Sequence, residues 1–69
     1  MGAEENKLFE SLYDKWCSPV FAYFSVCLGS EKAEELSQET FMRVWTKCFQ
    51  SHPDNWQAWI FRIAVNLKN

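Results

Sequence analysis

Apolar residues recur at helical spacing along almost the whole chain, and no run alternates apolar with polar residues as a half-buried strand would. Leu8, Leu12 and Trp16 repeat every four residues, flanked by Phe9 and Tyr13, and predict a first helix over roughly Glu5 to Trp16. Pro19 marks a break. Ser18 is placed to cap a second segment with Pro19 at its first position, where the missing N–H costs nothing. That segment carries Val20, Phe21, Phe24, Cys27 and Leu28, and Gly29 is placed to end it in a left-handed conformation. Ser30 is expected to cap the third and longest helix, which puts Glu31, Glu34 and Glu35 near the positive end of its dipole and runs to about Phe49. The stretch "QSHPDN" is the one real loop. Asp54 or Asn55 caps the last helix, and Asp54 with Gln57 has the spacing of a capping box.

Two stripes divide the third helix. Ala33, Leu36, Ser37, Thr40, Phe41, Val44 and Cys48 form a mostly apolar one that needs a core. Glu35, Gln38, Glu39 and Met42 form a second, polar row, which is either a solvated face or a docking surface. On the last helix, Trp56, Trp59, Ile60, Ile63, Ala64 and Leu67 form the expected buried stripe, with Ala58, Phe61, Arg62, Val65, Asn66 and Asn69 towards the other side. The expected fold is all-α: a compact bundle of three main helices, the first broken near Pro19 to give four helical segments. The last helix has no stop signal, so the chain is expected to have been cut from something longer.

Composition explains how so short a chain could hold together. Its 69 residues make one small domain, whose core contributes at most roughly 3–5 kcal/mol without a staple. Four tryptophans, six phenylalanines and two tyrosines compensate with ring area. The net charge of −2 is unevenly spread. Residues 1–35 carry three lysines against seven acidic groups, and residues 36–69 carry four cations against two acids. That split suggests two kinds of partner surface. It does not suggest strong non-specific nucleic-acid binding, which rests on many phosphate contacts.

Three cysteines without repeated spacing argue against a disulfide framework, and Cys17, Cys27 and Cys48 are expected on apolar helix faces. Cys48 and His52 have the nearest thing to a metal-pair spacing, and no second pair accompanies them, so no metal or other cofactor is expected. One histidine, no acid–base pair and no phosphate loop argue against an enzyme. The longest uncharged run, Trp16 to Ser30, is shorter than the ~20 residues of a spanning helix and contains Pro19. Gly2 does not open a myristoylation motif, because Asn6 stands where Ser or Thr is needed. A cytoplasmic location is expected.

"LFESLYDKW", "AEELSQETFMRVW" and "WQAWIFRIAVNLKN", in this order and at these distances, resemble region 2 of bacterial sigma factors, most closely the extracytoplasmic-function (ECF) type. The resemblance covers about Lys7 to Asn69, and its strongest blocks are "ELSQETF" and "AWIFRIAVN". It implies a single domain over residues 1–69, an isolated region 2 without the linker and region 4 that follow in the family. It implies a transcription initiation factor domain that docks on the clamp helices of the largest subunit of core RNA polymerase and recognises and helps melt the promoter minus-ten element. An anti-sigma factor is a further partner of the family.

The resemblance gives the polar row a partner. Glu35, Gln38 and Glu39 match the family's clamp-contacting positions, and Met42 stands beside them. Carboxylates suit Arg and Lys across an interface, Gln38 can donate and accept, and Met42 offers adaptable apolar area. On the DNA side, the loop Phe49 to Asn55 matches the segment that helps capture a flipped base, and the helix after it matches the one on the non-template strand. His52, Asn55 and Asn66 are the expected base contacts, while Lys47, Arg62, Lys68 and Asn69 are expected on phosphate or sugar. Each has a structural alternative: Asn55 as a helix cap, Arg62 in an ion pair, Trp59 in the core, Phe61 and Val65 packed on Tyr13 or the second helix. The chain departs from the family in "SPVFAYFSVCLGS", where relatives usually carry arginines. That thin basic surface supports a second reading, a sigma-like helical protein-binding module without DNA recognition. A third is a thiol or zinc sensor built on Cys17, Cys27, Cys48 and His52.

Overall fold

A computed structural model describes residues 3–69, with side chains from Lys7 onward. The Gly2 and Asn6 reading lies outside the described residues. Three helices are present: α1 (Ala3–Leu28), α2 (Ser30–Lys47) and α3 (Trp56–Lys68). The described residues contain no strand. The all-α expectation therefore holds, and the four-segment expectation does not.

The difference lies at Pro19. Helix α1 runs straight through it, so Ser18 caps nothing and Pro19 is interior rather than first. An interior proline loses one intrahelical hydrogen bond and crowds the preceding turn, at a cost of about 3 kcal/mol. Packing outweighs that cost. Leu8, Leu12, Trp16, Val20 and Phe24 continue one every-fourth stripe across the proline, and Leu12, Val20 and Phe24 are buried. Burying Val20 and Phe24 contributes about 1.5–3 kcal/mol each, and a break would throw both off the core. Pro19 itself is exposed, so its ring occupies the solvent side. Pro19→Ala should therefore raise stability by about 1–2 kcal/mol, by restoring the helical N–H without touching the core. Chemical denaturation reads this as a higher midpoint at an unchanged slope.

Gly29 alone separates α1 from α2. Its φ of 90 and ψ of 164 lie in an extended, positive-φ region that only glycine enters readily, rather than in the left-handed helical region expected. Its backbone N–H donates to the Ser25 carbonyl and its carbonyl accepts from Ala33 N–H, so this one residue ends α1 and begins α2. Ser30 is the first helical residue, not the cap: Gly29 holds the cap position, and no side chain caps this end. The reversal is recorded in ring pairs. Phe9 meets Trp45 at 5.1 Å and Tyr13 meets Phe41 at 5.0 Å, so α1 and α2 run antiparallel.

Helix α2 ends at Lys47, two residues before the expected Phe49, and Cys48 closes it by donating its N–H to the Val44 carbonyl. A turn follows, with Gln50 and Ser51 N–H donating to the Lys47 carbonyl. The choice between Asp54 and Asn55 is resolved at α3, where Asn55 Oδ1 accepts from Ala58 N–H at 3.1 Å. The core is Leu12, Val20, Phe24, Ala33, Phe41, Val44, Cys48, Ile60 and Ala64. Thr40, a buried polar residue beside this core, donates its hydroxyl to the Leu36 carbonyl at 2.7 Å, which makes its burial tolerable. Trp56, Trp59, Ile63 and Phe61 pack against this core from α3. No described helix is long and apolar enough to cross a membrane.

Candidate docking row and strand-binding face

The stripe assignment of α2 is reproduced: the core-facing positions are buried or half-buried, and Glu35, Gln38, Glu39 and Met42 are all exposed. Met42 is 64% exposed, a high value for a large apolar side chain, while the adjacent Phe41 is buried. Gln38, Glu39 and Met42 stand on the wall of an open groove of about 980 Å³ between α1 and α2. Glu35 is exposed at the start of the row but does not line the groove.

The groove itself is aromatic. Phe9 and Trp45 meet edge to face at 5.1 Å, and Phe9 continues to Tyr13 at 6.0 Å; outside the groove, Trp45 meets Phe49 edge to face at 5.1 Å. Tyr13 and Phe21, on α1, remain 45% and 39% exposed along it. Sequence reasoning missed this contribution of α1. The signal was present: Phe9 and Tyr13 flank the Leu8–Leu12–Trp16 stripe and are too many for the stripe alone. Only the antiparallel pairing of α1 with α2 puts them beside the polar row.

Within the row, Glu39 is engaged. Its Oε2 lies 3.5 Å from Arg43 Nε, one turn along, and this is the ion pair found among the described residues. Both side chains are about half exposed, so the pair adds only about 0.3–0.5 kcal/mol. The acidic wall is a surface feature, not a buried network that the fold depends on.

The expected strand contacts fall into separate groups. Lys47, His52, Asn55, Arg62, Asn66, Lys68 and Asn69 are all exposed. Lys47 and Asn66 share a shallow depression between α2 and α3, with Ile63, Leu67 and Arg43. Arg62, Asn66 and Asn69 follow one another at i, i+4 and i+7 and so line one side of α3. Lys68, two residues from Asn66, projects from the opposite side and is not brought into that group. His52 lies in the loop, apart from the helical residues. Asn55 Oδ1 is taken up by the helix cap, so the expected base contact coincides with a structural role. Arg62 makes no ion pair among the described residues, and Trp59 stacks edge to face on Trp56 at 5.2 Å against the core. Phe61 meets Tyr23 of α1 at 5.9 Å, while Val65 stays 37% exposed.

The thiols do not converge. Cys48 is fully buried, Cys17 is half-buried on the groove wall, and Cys27 is exposed, contrary to the expectation that all three occupy apolar faces. Among the described residues no group of three or more His, Cys, Asp or Glu is placed to hold a metal ion.

Comparison with curated proteins and with solved structures gives no significant match. A protein-family model described as sigma-70 region 2 matches residues 9–68, spanning all three helices and both the acidic row and the α3 face. The chain therefore belongs to the sigma-70 region 2 family, a transcription initiation factor domain.

Proposed function

We propose that the chain is the region 2 domain of an ECF-type sigma factor, docking on the clamp helices of core RNA polymerase and recognising and opening the promoter minus-ten element. The observation that carries this reading is the family match over residues 9–68, together with a row of exposed acidic and amide side chains beside an apolar groove. Glu35, Gln38, Glu39 and Met42 form the docking row. A basic, partly apolar helical partner is complementary to it: cations meet the carboxylates, and apolar side chains enter between Met42 and the rings of Tyr13 and Phe21. An anti-sigma factor competing for the same row is a second partner of the same kind.

Lys47, His52, Asn55, Arg62, Asn66, Lys68 and Asn69 are the proposed strand contacts. Asn66 has the best position for base recognition, because its amide both donates and accepts and stands exposed on the matching helix. The cations position the backbone without reading sequence. In a holoenzyme assembled on this sigma factor, Asn66→Ala should change minus-ten preference by about 1–3 kcal/mol at one position, leaving upstream preference unchanged. A library of minus-ten variants reads this directly, and identical preferences for wild type and variant would reject the role of Asn66.

The second reading, a protein-binding module without DNA recognition, is favoured by the few cations on the chain. Single-stranded minus-ten DNA offered to the chain with core polymerase separates the two. Sequence-dependent binding supports the first, and polymerase capture without strand binding supports the second.

A further inference from the structure

One buried hydroxyl on the wall of the groove is left without a hydrogen bond. Ser37 Oγ is buried and has no partner, although one turn along α2 the Thr40 hydroxyl reaches the Leu36 carbonyl. A buried hydroxyl left unpaired costs free energy, and a group arriving from outside removes that cost. The ring pairs locate what faces it. Phe9 meets Trp45 and Tyr13 meets Phe41, so four residues forward on α1 match four residues back on α2, and the next layer sets Cys17 opposite Ser37. Both line the groove. Tyr13 and Phe21 stand one turn to either side of Cys17, about 12 Å apart along the helix axis, and both stay partly exposed. The small Cys17 side chain therefore leaves a recess between two aromatic rings, with the unpaired Ser37 hydroxyl on the opposite wall. A carboxylate stands at its edge. Glu34, one turn before Ser37, also lines the groove and, unlike Glu39, makes no ion pair among the described residues.

We propose that Ser37 Oγ and the Glu34 carboxylate, flanked by Tyr13 and Phe21, form a subsite for one arginine side chain of the docked polymerase helix. The proposal rests on the docking reading and adds two residues that the row leaves out. The choice of arginine follows from the acceptors. One is an exposed carboxylate and the other a buried hydroxyl one turn away, and a planar guanidinium carries five donors that can serve both at once. A guanidinium is also weakly hydrated and stacks on aromatic rings, whereas an ammonium is a strongly hydrated point charge that the apolar walls would desolvate. In the undocked chain the Ser37 hydroxyl weakens the fold, and docking supplies its partner.

The test measures capture of purified core polymerase by the chain, with thermal unfolding midpoints in parallel. Ser37→Ala should raise the midpoint of the free chain, by removing the unpaired hydroxyl and favouring the helix, and weaken capture about tenfold. Those opposite signs separate a docking residue from a merely structural one. Glu34→Gln should weaken capture by a similar factor. The double variant should lose much less than the roughly hundredfold product, because both changes act on the same guanidinium. Ser25→Ala is the control: its hydroxyl is also buried and unpaired but lines neither the groove nor the depression between α2 and α3, so capture should be unchanged. Unchanged capture by Ser37→Ala beside normal wild-type capture overturns this proposal and leaves the docking row standing. A lowered midpoint for Ser37→Ala, or losses that multiply in the double variant, overturns it as well. A wild-type chain that captures no core polymerase overturns the docking reading and this proposal together.

Discussion

Phe24→Ala leaves most of the chain unfolded near room temperature. Phe24 is among the largest of the fully buried side chains and lies in the second half of α1, beyond the proline. Truncating a buried phenylalanine costs about 3–5 kcal/mol, through lost transfer energy and the cavity left behind. A domain of 69 residues has about that much stability in total. The helical signal in circular dichroism should fall to that of a largely unstructured chain and recover in a stabilising osmolyte. Cys27→Ser, three residues further along the same helix but exposed, should leave the signal unchanged. The contrast also tests the unbroken α1. Were the helix to break at Pro19 and its second half to pack loosely, Phe24→Ala would cost under about 1 kcal/mol and the variant would stay folded.

Gln38→Ala, Glu35→Lys and Glu39→Lys weaken capture by core RNA polymerase, each by about 2 kcal/mol or roughly 30-fold, without unfolding the domain. All three positions are exposed, so the fold has little invested in them. Glu39→Lys gives up the Arg43 pair and sets two cations one turn apart, a combined cost of under about 1 kcal/mol. Across an interface the same changes weigh far more, because a buried partner cation would then face a like charge or an unmade hydrogen bond. Glu35→Lys separates two interface shapes. It stands outside the groove, so a partner confined to the groove would be insensitive to it, while a partner lying along the whole row would not. A pull-down with purified core enzyme, with unfolding midpoints measured in parallel, provides the check. Equal capture by all three folded variants would exclude the row as the docking site.

How legible the molecule is from its residues depends on the distance over which each feature is decided. The α2 stripes and the α3 stripe are local consequences of helical periodicity, and each appears as the spacing predicts. The Asn55 cap was one of two adjacent options that composition alone could not separate; which oxygen reaches Ala58 N–H depends on the path of the loop. At Pro19 a sound local rule was overruled, because the rule weighs one lost hydrogen bond and knows nothing of Val20 and Phe24 buried beyond it. The partner of the polar row lay outside periodicity altogether and came from family likeness.

The order and spacing of apolar residues by themselves determined that this chain is helical, which faces of α2 and α3 are buried, and that Glu35, Gln38, Glu39 and Met42 form an outward row, because helix geometry converts sequence interval into angle. Tertiary structure alone decided that α1 is one helix, that Tyr13 and Phe21 join the row across an antiparallel groove, and that Arg43 and Lys47 meet Asn66. Those juxtapositions link residues far apart in the chain. They are set by how the three buried stripes share one core, a condition that no single stripe contains.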